Sequence, residues 1–194
     1  MNRKILFVVV ATLLSAVISA GDCKAQRHVP GQSVISVELQ GWERFGGSFF
    51  WGKSGYRGHS IFGASFFTGL PEPYDVPATK DTVAFNHKVV SNDYYVSGGY
   101  LFRVCSNRSR SVNLLLGGTL DLGIRDYVDE EGMYGIPSVK FIYGVSPIAK
   151  FEYFPVDAFA LNIHFRPRFQ LYGHKVFEKW FYPQFGIGCT FYLF

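Results

Sequence analysis

Charge is scarce in this chain. Asp, Glu, Lys and Arg make up only 18% of its 194 residues, too little to coat an ordinary soluble domain. The formal net charge is a modest +4, part of it in the N-terminal segment. No Lys/Arg cluster interleaved with aromatics argues for direct nucleic-acid contact. Cysteine is scarcer still, and the spacing of Cys23, Cys105 and Cys189 matches no metal site. Long apolar runs are almost missing. The one present, Ile5 to Ala20, has 16 residues and falls short of the roughly 20 that a spanning helix needs. It follows Arg3 and Lys4 and precedes small residues, which is the layout of a secretory signal. A cut between Ala25 and Gln26 fits, with Cys23 small enough for the third position before it. A lipoprotein signal centred on Cys23 is disfavoured by Asp22. The expected organisation is a signal peptide over 1–25 and one domain over 26–194, with no helical span after the cut.

Catalytic signatures are missing too. Neither HExxH, GxSxG nor a P-loop occurs. His28, His59, His87, His164 and His174 stand in no ligand spacing, and no Cys–His pairing is present. No catalytic, cofactor-binding or metal-binding residue is assigned.

What the chain does have is aromatic residues and alternation. Aromatics reach 18%, with 20 Phe and 12 Tyr, a composition that suits interfacial belts at a membrane. From Phe159 through Leu161, Ile163, Phe165, Pro167 and Phe169 to Leu171 every second residue is apolar. Between them stand Asn162, His164, Arg166, Arg168 and Gln170. Such alternation puts one set on each face of a strand. A run this long fits a strand that crosses a bilayer in about 9–11 residues, with lipid on one side and a polar interior on the other. Eight strand-like segments can be marked, roughly 33–41, 46–53, 57–68, 87–104, 111–126, 139–154, 158–172 and 180–194. The first, fifth and sixth alternate as clearly as the seventh, whereas the second and third are apolar on both faces.

The connections carry separate information. Those after segments two, four and six are short, at Ser54-Gly55, Ser106 to Arg110 and Pro155 to Asp157. Those after three and five are long, Leu70 to Asn86 and Tyr127 to Ser138, and Gly173 to Lys179 is intermediate. Outer-membrane barrels alternate in this way, with short periplasmic turns and longer external loops. The short connection after segment one departs from the pattern. The expected fold is all-β, an eight-stranded antiparallel up-and-down transmembrane β-barrel behind a signal peptide, located in the bacterial outer membrane and in contact with its lipid. Eight strands leave an interior that side chains fill. The residues expected there are Glu38, Gln40, Asp121, Arg125, Lys140, Lys150, Glu152, His164, Arg166 and Arg168, which excludes a wide pore.

Several residues invite a sharper reading. His59-Ser60 could form a hydrolase pair, but neighbours in an extended strand point to opposite faces. His164, Arg166 and Arg168 could bind an anion, against the plainer reading of neutralisation by Glu38, Asp121 and Glu152. Asp129-Glu130-Glu131-Gly132 lacks the ligand spacing of a calcium loop and reads as a solvated loop. Asn107-Arg108-Ser109 matches a glycosylation acceptor only formally. Cys105 and Cys189 read as small apolar residues in or beside strands, although export makes a disulfide chemically possible. Pro147 and Pro167 inside strands predict bulges. The terminal Phe194, with Tyr192 two residues before it, resembles the end signal of outer-membrane barrels. The more apolar face there is instead Phe185, Ile187, Cys189, Phe191 and Leu193.

Taken together, four stretches resemble a family. They are Ala25-Gln26-Arg27 with Pro30-Gly31-Gln32, Gly98-Gly99-Tyr100, Phe141-Ile142-Tyr143-Gly144, and Pro183-x-x-Gly186-x-Gly188 with the final Phe194. In that order and spacing the chain resembles the TraO conjugal transfer proteins of Bacteroidetes conjugative transposons over nearly the whole mature length. The departure is Gly31-Gln32, where that family has basic residues after the proline. The resemblance implies a non-enzymatic part of a conjugation apparatus that takes part in DNA transfer between cells. It would contact other apparatus proteins through the external loops 70–86 and 127–138, and needs no cofactor. The alternatives are a general small barrel for adhesion or envelope integrity, or a barrel lipid hydrolase using Ser60 and His59.

Overall fold

The computed structural model describes residues 29–70, 72–76, 85–107, 111–129, 139–172 and 180–193. All regular structure among them is β: β1 (Ser33–Trp42), β2 (Arg44–Lys53), β3 (Gly58–Gly69), β4 (Glu72–Val76), β5 (Phe85–Ser106), β6 (Val112–Asp129), β7 (Val139–Val156), β8 (Phe159–Phe165), β9 (Arg168–Tyr172), β10 (Phe181–Tyr182) and β11 (Gln184–Leu193). β3 with β4, β8 with β9, and β10 with β11 each make one interrupted stave. The eleven strands therefore form a closed antiparallel barrel of eight staves. Each stave pairs with its neighbours in sequence, and β1 closes the ring against β11 from Ser33↔Leu193 to Trp42↔Gln184.

The register fixes the barrel's geometry. Followed once around from Tyr153 through Leu161, Cys189, Val37, Phe49, Ala64, Val96 and Leu122, it returns to β7 at Tyr143. That stagger of 10 residues over eight staves, at the standard strand spacings, tilts the strands by about 40°.

Period-2 alternation then sorts the side chains. Val37, Leu39, Phe49, Phe62, Val96, Leu120, Leu122 and Ile187 face outward and are exposed. Aromatic pairs flank this apolar middle. At the end bearing the termini Phe159 meets Phe191 and Tyr100 meets Phe102. At the opposite end Trp42 and Phe165 meet Phe185, and Phe66 meets Tyr94. Mostly aliphatic in the middle, with Phe49 and Phe62 among the exceptions, and carrying aromatic pairs at both ends, the outer wall matches a bilayer and its interfaces. β11 resolves the parity at the C-terminus: Phe185, Ile187, Phe191 and Leu193 face out while Tyr192 is buried. Phe194 lies outside the described residues.

The apolar residues that made segments two and three ambiguous divide by parity. Phe49, Phe62 and Phe66 go outward, while Phe50, Ile61 and Phe67 go into the lumen. The lumen holds three apolar clusters: Val34, Phe154, Ala160 and Tyr192; Phe50, Ile61, Leu101, Leu115 and Ile148; and Phe67, Tyr95 and Ile142.

Three expectations need correction. The connection over 70–86 is strand at 72–76 and 85–86, because Glu72–Val76 pairs with Phe85–Val89 and lengthens the β3–β5 hairpin; 71 and 77–84 lie outside the described residues. Likewise 127–129 continue β6, paired with Val89 to Ser91 of β5. Pro147 makes no bulge toward β6, and Pro167 is buried rather than facing lipid. The register sets these two prolines opposite each other, between the pairs Ala149↔Phe165 and Val145↔Phe169. Two residues without N–H thus interrupt one ladder at one point, instead of two ladders at two points.

Placing a cation in the aliphatic belt tests the assignment of the outer face. Ile187→Arg, on the outward face between Phe185 and Cys189, is expected to lower folding stability in lipid vesicles by about 2–4 kcal/mol. Urea titration followed by heat-modifiable gel migration measures this; an unchanged midpoint would contradict a lipid-facing β11.

Candidate functional site

The charged residues of the lumen come from inward positions on β1, β2, β5, β6, β7, β8 and β9, with Arg166 in the short break between β8 and β9, so most of their places follow from strand parity. They form three groups. Nearest the termini, Lys150 Nζ donates to Glu38 Oε1 at 3.0 Å, Ser36 Oγ at 3.0 Å and Thr190 Oγ1 at 3.2 Å. It also lies 3.6 Å from Glu152 Oε1. The Tyr192 hydroxyl donates to Glu152 Oε2 at 2.8 Å, and Gln40 Nε2 donates to Glu38 Oε2 at 3.3 Å. His164 Nε2 stands 3.6 Å from Glu38 Oε2.

In the middle, one carboxylate serves two guanidiniums. Arg166 Nη2 donates to Asp121 Oδ1 at 2.9 Å, and Arg168 Nε lies 3.3 Å from Asp121 Oδ2. Thr119 and Ser146 also donate to Asp121. The Arg166 guanidinium lies over the Phe50 ring at 5.0 Å, and that of Arg168 over Tyr95 at 3.8 Å. Aromatic faces stabilise cations in this way where water is excluded.

Toward the loop end, Asp93 accepts from Arg44 Nη1 at 2.5 Å, from Arg125 Nε at 2.6 Å and Nη2 at 2.9 Å, and from the Tyr95 hydroxyl at 3.1 Å. Arg44 rests on the Tyr182 ring at 4.6 Å. All these charges are buried. A buried pair gains little net stability over apolar packing, but breaking one leaves an expensive lone charge.

Most residues expected in the lumen lie there. Glu38, Gln40, Asp121, Arg125, Lys150, Glu152, His164, Arg166 and Arg168 are buried inside. Lys140 is only half-buried, because it stands on β7 before the pairing with β9 begins at Tyr143. The pairing is also more selective than expected. Glu38 and Glu152 sit with Lys150, while Asp121 is the carboxylate that meets Arg166 and Arg168. Asp93 and Arg44 were not anticipated. The alternation of Asp93, Tyr95 and Ser97 with Tyr94 and Val96 carried the signal for Asp93, whereas Arg44 sits one residue past a turn.

His59 and Ser60 do not meet. His59 is buried in the lumen, edge-on to Tyr192 at 6.3 Å, and Ser60 is exposed on the outer wall, accepting from the Lys53 amide at 3.1 Å. His87 sits on β5 opposite Tyr74, and His28 and His174 lie outside the described residues. Among the described residues no group of three or more His, Cys, Asp or Glu has metal-binding geometry. Glu130, Glu131 and Gly132 lie outside those residues. Asn107 closes the β5–β6 turn, donating to Ser111 Oγ at 2.9 Å and accepting from the Val112 amide at 3.1 Å. Cys105 is exposed and Cys189 half-buried, and both are free thiols.

Comparison with known proteins adds the following. A family model described as "Conjugative transposon protein TraO" matches residues 79–193, more than half of the chain. No curated protein sequence matches. Among solved structures, the chain is similar to Ail, the attachment invasion locus protein of Yersinia pestis, at 12% identity and a TM-score of 0.49. The alignment covers 85% of this chain and 100% of that one. A second Ail structure, in complex with the heparin analogue sucrose octasulfate, aligns at 13% identity and a TM-score of 0.45, covering 84% and 99% of the two chains.

Two measurements test the lumen. Asp93→Ala strands Arg44 and Arg125 and is expected to cost about 3–5 kcal/mol in urea unfolding. Tyr192→Phe, which removes one hydrogen bond to Glu152, costs roughly 1 kcal/mol in the same assay. In planar bilayers the purified barrel is expected to give no stable conductance steps, since apolar clusters and ion pairs fill the interior; steady open-channel steps would contradict that filling.

Proposed function

The chain belongs to the TraO family of conjugative transposon proteins, and on that premise we propose that it is a non-enzymatic outer-membrane component of a transposon transfer apparatus, taking part in DNA transfer between cells. The family match over residues 79–193 carries this reading. Residues 1–25 act as the export signal, and 26–194 form the mature barrel in the outer membrane of the donor cell. The outer wall supports that location, because its exposed apolar band matches a lipid environment.

The filled lumen supports a role in which DNA does not pass through this chain or touch it. Work is then left to the barrel's ends. The partner surface we assign to other apparatus proteins is the loop end, residues 70–86 and 127–138, where strands outrun the membrane and connections are long. β5 has 22 residues, against 10 each in β1 and β2. A membrane crossing uses only about 9–11.

Deleting the gene from the element is expected to bring transfer frequency below detection without slowing growth. Complementation with a chain whose residues 77–84 are replaced by a tight turn should restore membrane insertion but not transfer. Undiminished transfer after deletion would overturn the reading. Increased detergent sensitivity with transfer intact would identify a general envelope barrel instead.

A further inference from the structure

Two strands at the loop end have one partner instead of two. Among the described residues β10 pairs only with β9, and β4 only with β5. β10 is two residues long, whereas β4 has five, Glu72 to Val76. The open side of β4 faces the space above the β1–β2 turn. There β2 has already ended at Arg44, which pairs with Gly69, three residues before β4 begins. The edge therefore lies past the last closed level of the wall, where no stave covers it.

Pro73 decides which backbone groups that edge presents. Along an antiparallel pair, residues that exchange hydrogen bonds with the partner strand alternate with residues that do not. A proline has no N–H to exchange, so Pro73↔Lys88 is of the second kind, and Asp75↔Asn86 with it. Glu72, Tyr74 and Val76 bond to β5. The Pro73 carbonyl and the Asp75 N–H and C=O point the other way, toward the open side. Two acceptors and a donor in extended backbone are what an added strand pairs with.

Charge selects the occupant. The tall staves carry three acidic residues over 70–92 against Lys80 and Lys88, and four over 126–138 with no Lys or Arg. A second copy of this chain would bring the same acids to the edge, and DNA would bring phosphates, so both are repelled. A cationic chain is attracted. We propose that β4 receives, as an added strand, an extended basic segment of another protein of the transfer apparatus. Its main chain pairs with Pro73 and Asp75 while its cationic side chains meet the acids of the tall side. This names the binding mode of the partner surface assigned above and rests on that reading.

Main-chain pairing has a signature that side-chain contact lacks. Asp75→Pro deletes the one outward N–H of β4 and leaves its bonds to β5 in place. Asp75→Thr keeps the N–H and gives up only a charge. Both are introduced into the full chain on the element in donor cells, with insertion checked by heat-modifiable gel migration. Asp75→Pro is expected to lower transfer frequency by about tenfold and Asp75→Thr by about threefold. A photo-reactive phenylalanine at position 75 is expected to cross-link to an element-encoded protein, at a segment rich in Lys or Arg by mass spectrometry. Parental transfer by Asp75→Pro overturns the added strand, and so does an equal loss in the two variants. A cross-link only to a second copy, to an acidic segment or to nothing overturns it without any proline variant. If deleting the gene leaves transfer intact, the apparatus reading itself fails; if deletion abolishes transfer while Asp75→Pro supports it, only the added strand does.

Discussion

Everything else in this structure depends on the pairing of the first strand with the last. β1 and β11 share 10 register pairs and close the ring, so that among the described residues only the short strands β4 and β10, at the loop end, have a single partner. In hydrocarbon each unpaired backbone N–H or C=O costs several kcal/mol, so a sheet in lipid closes or does not exist. Closure by neighbouring antiparallel strands demands an even count, and the 10-residue stagger sets tilt and radius. The interior then has room for side chains and little more. From that narrowness follow both the apolar clusters and the pairing of every buried acid with a base.

The narrow interior also explains glycines that a soluble sheet would not want. Gly186 and Gly188 stand on β11 opposite Gln40 and Glu38. A Cβ at Gly186 would lie 2.4 Å from His164 Nε2 and 2.5 Å from the Leu39 carbonyl oxygen, and one at Gly188 would lie 2.4 Å from the Val37 carbonyl oxygen and 3.0 Å from Glu38 Cγ. Only a residue without a side chain lets β11 lie this close to the β1 backbone while His164 and Glu38 occupy the same level of the barrel. The motif Gly186-x-Gly188 thus reflects the close approach of β1 and of the side chains inside, not a turn.

Parity was legible because it is local. A residue two positions from an inward arginine faces inward whatever the rest of the chain does, so β6, β7 and β8 could be read residue by residue. Pairing was not legible, since it depends on register between strands far apart in sequence. Nothing near Asp93 says that its partners are Arg44 and Arg125, and nothing near Pro167 says that Pro147 lies across from it. The same distance hid the division of labour among acids, in which Glu38 and Glu152 go to Lys150 while Asp121 meets two arginines. Segments such as 46–53 looked ambiguous for a different reason. Their inward residues, Phe50 among them, are apolar because they build lumen clusters, so both faces carry the same chemistry.

Strand length makes the last argument. Lipid asks of each stave only what its hydrocarbon thickness requires, and β1 and β2 stop at that length. β5 continues to about twice it, joined by β4 on one side and β6 on the other. Ordering those additional residues costs conformational entropy that membrane insertion does not repay. Their backbone pairing offsets part of that cost, and a sheet standing clear of the bilayer has no lipid to bury its faces. Contact with something outside the membrane is the gain that such an extension leaves open. That is why the proposed partner surface belongs to the tall side of the barrel, above β3, β5 and β6, and not to the low rim where β1 turns into β2.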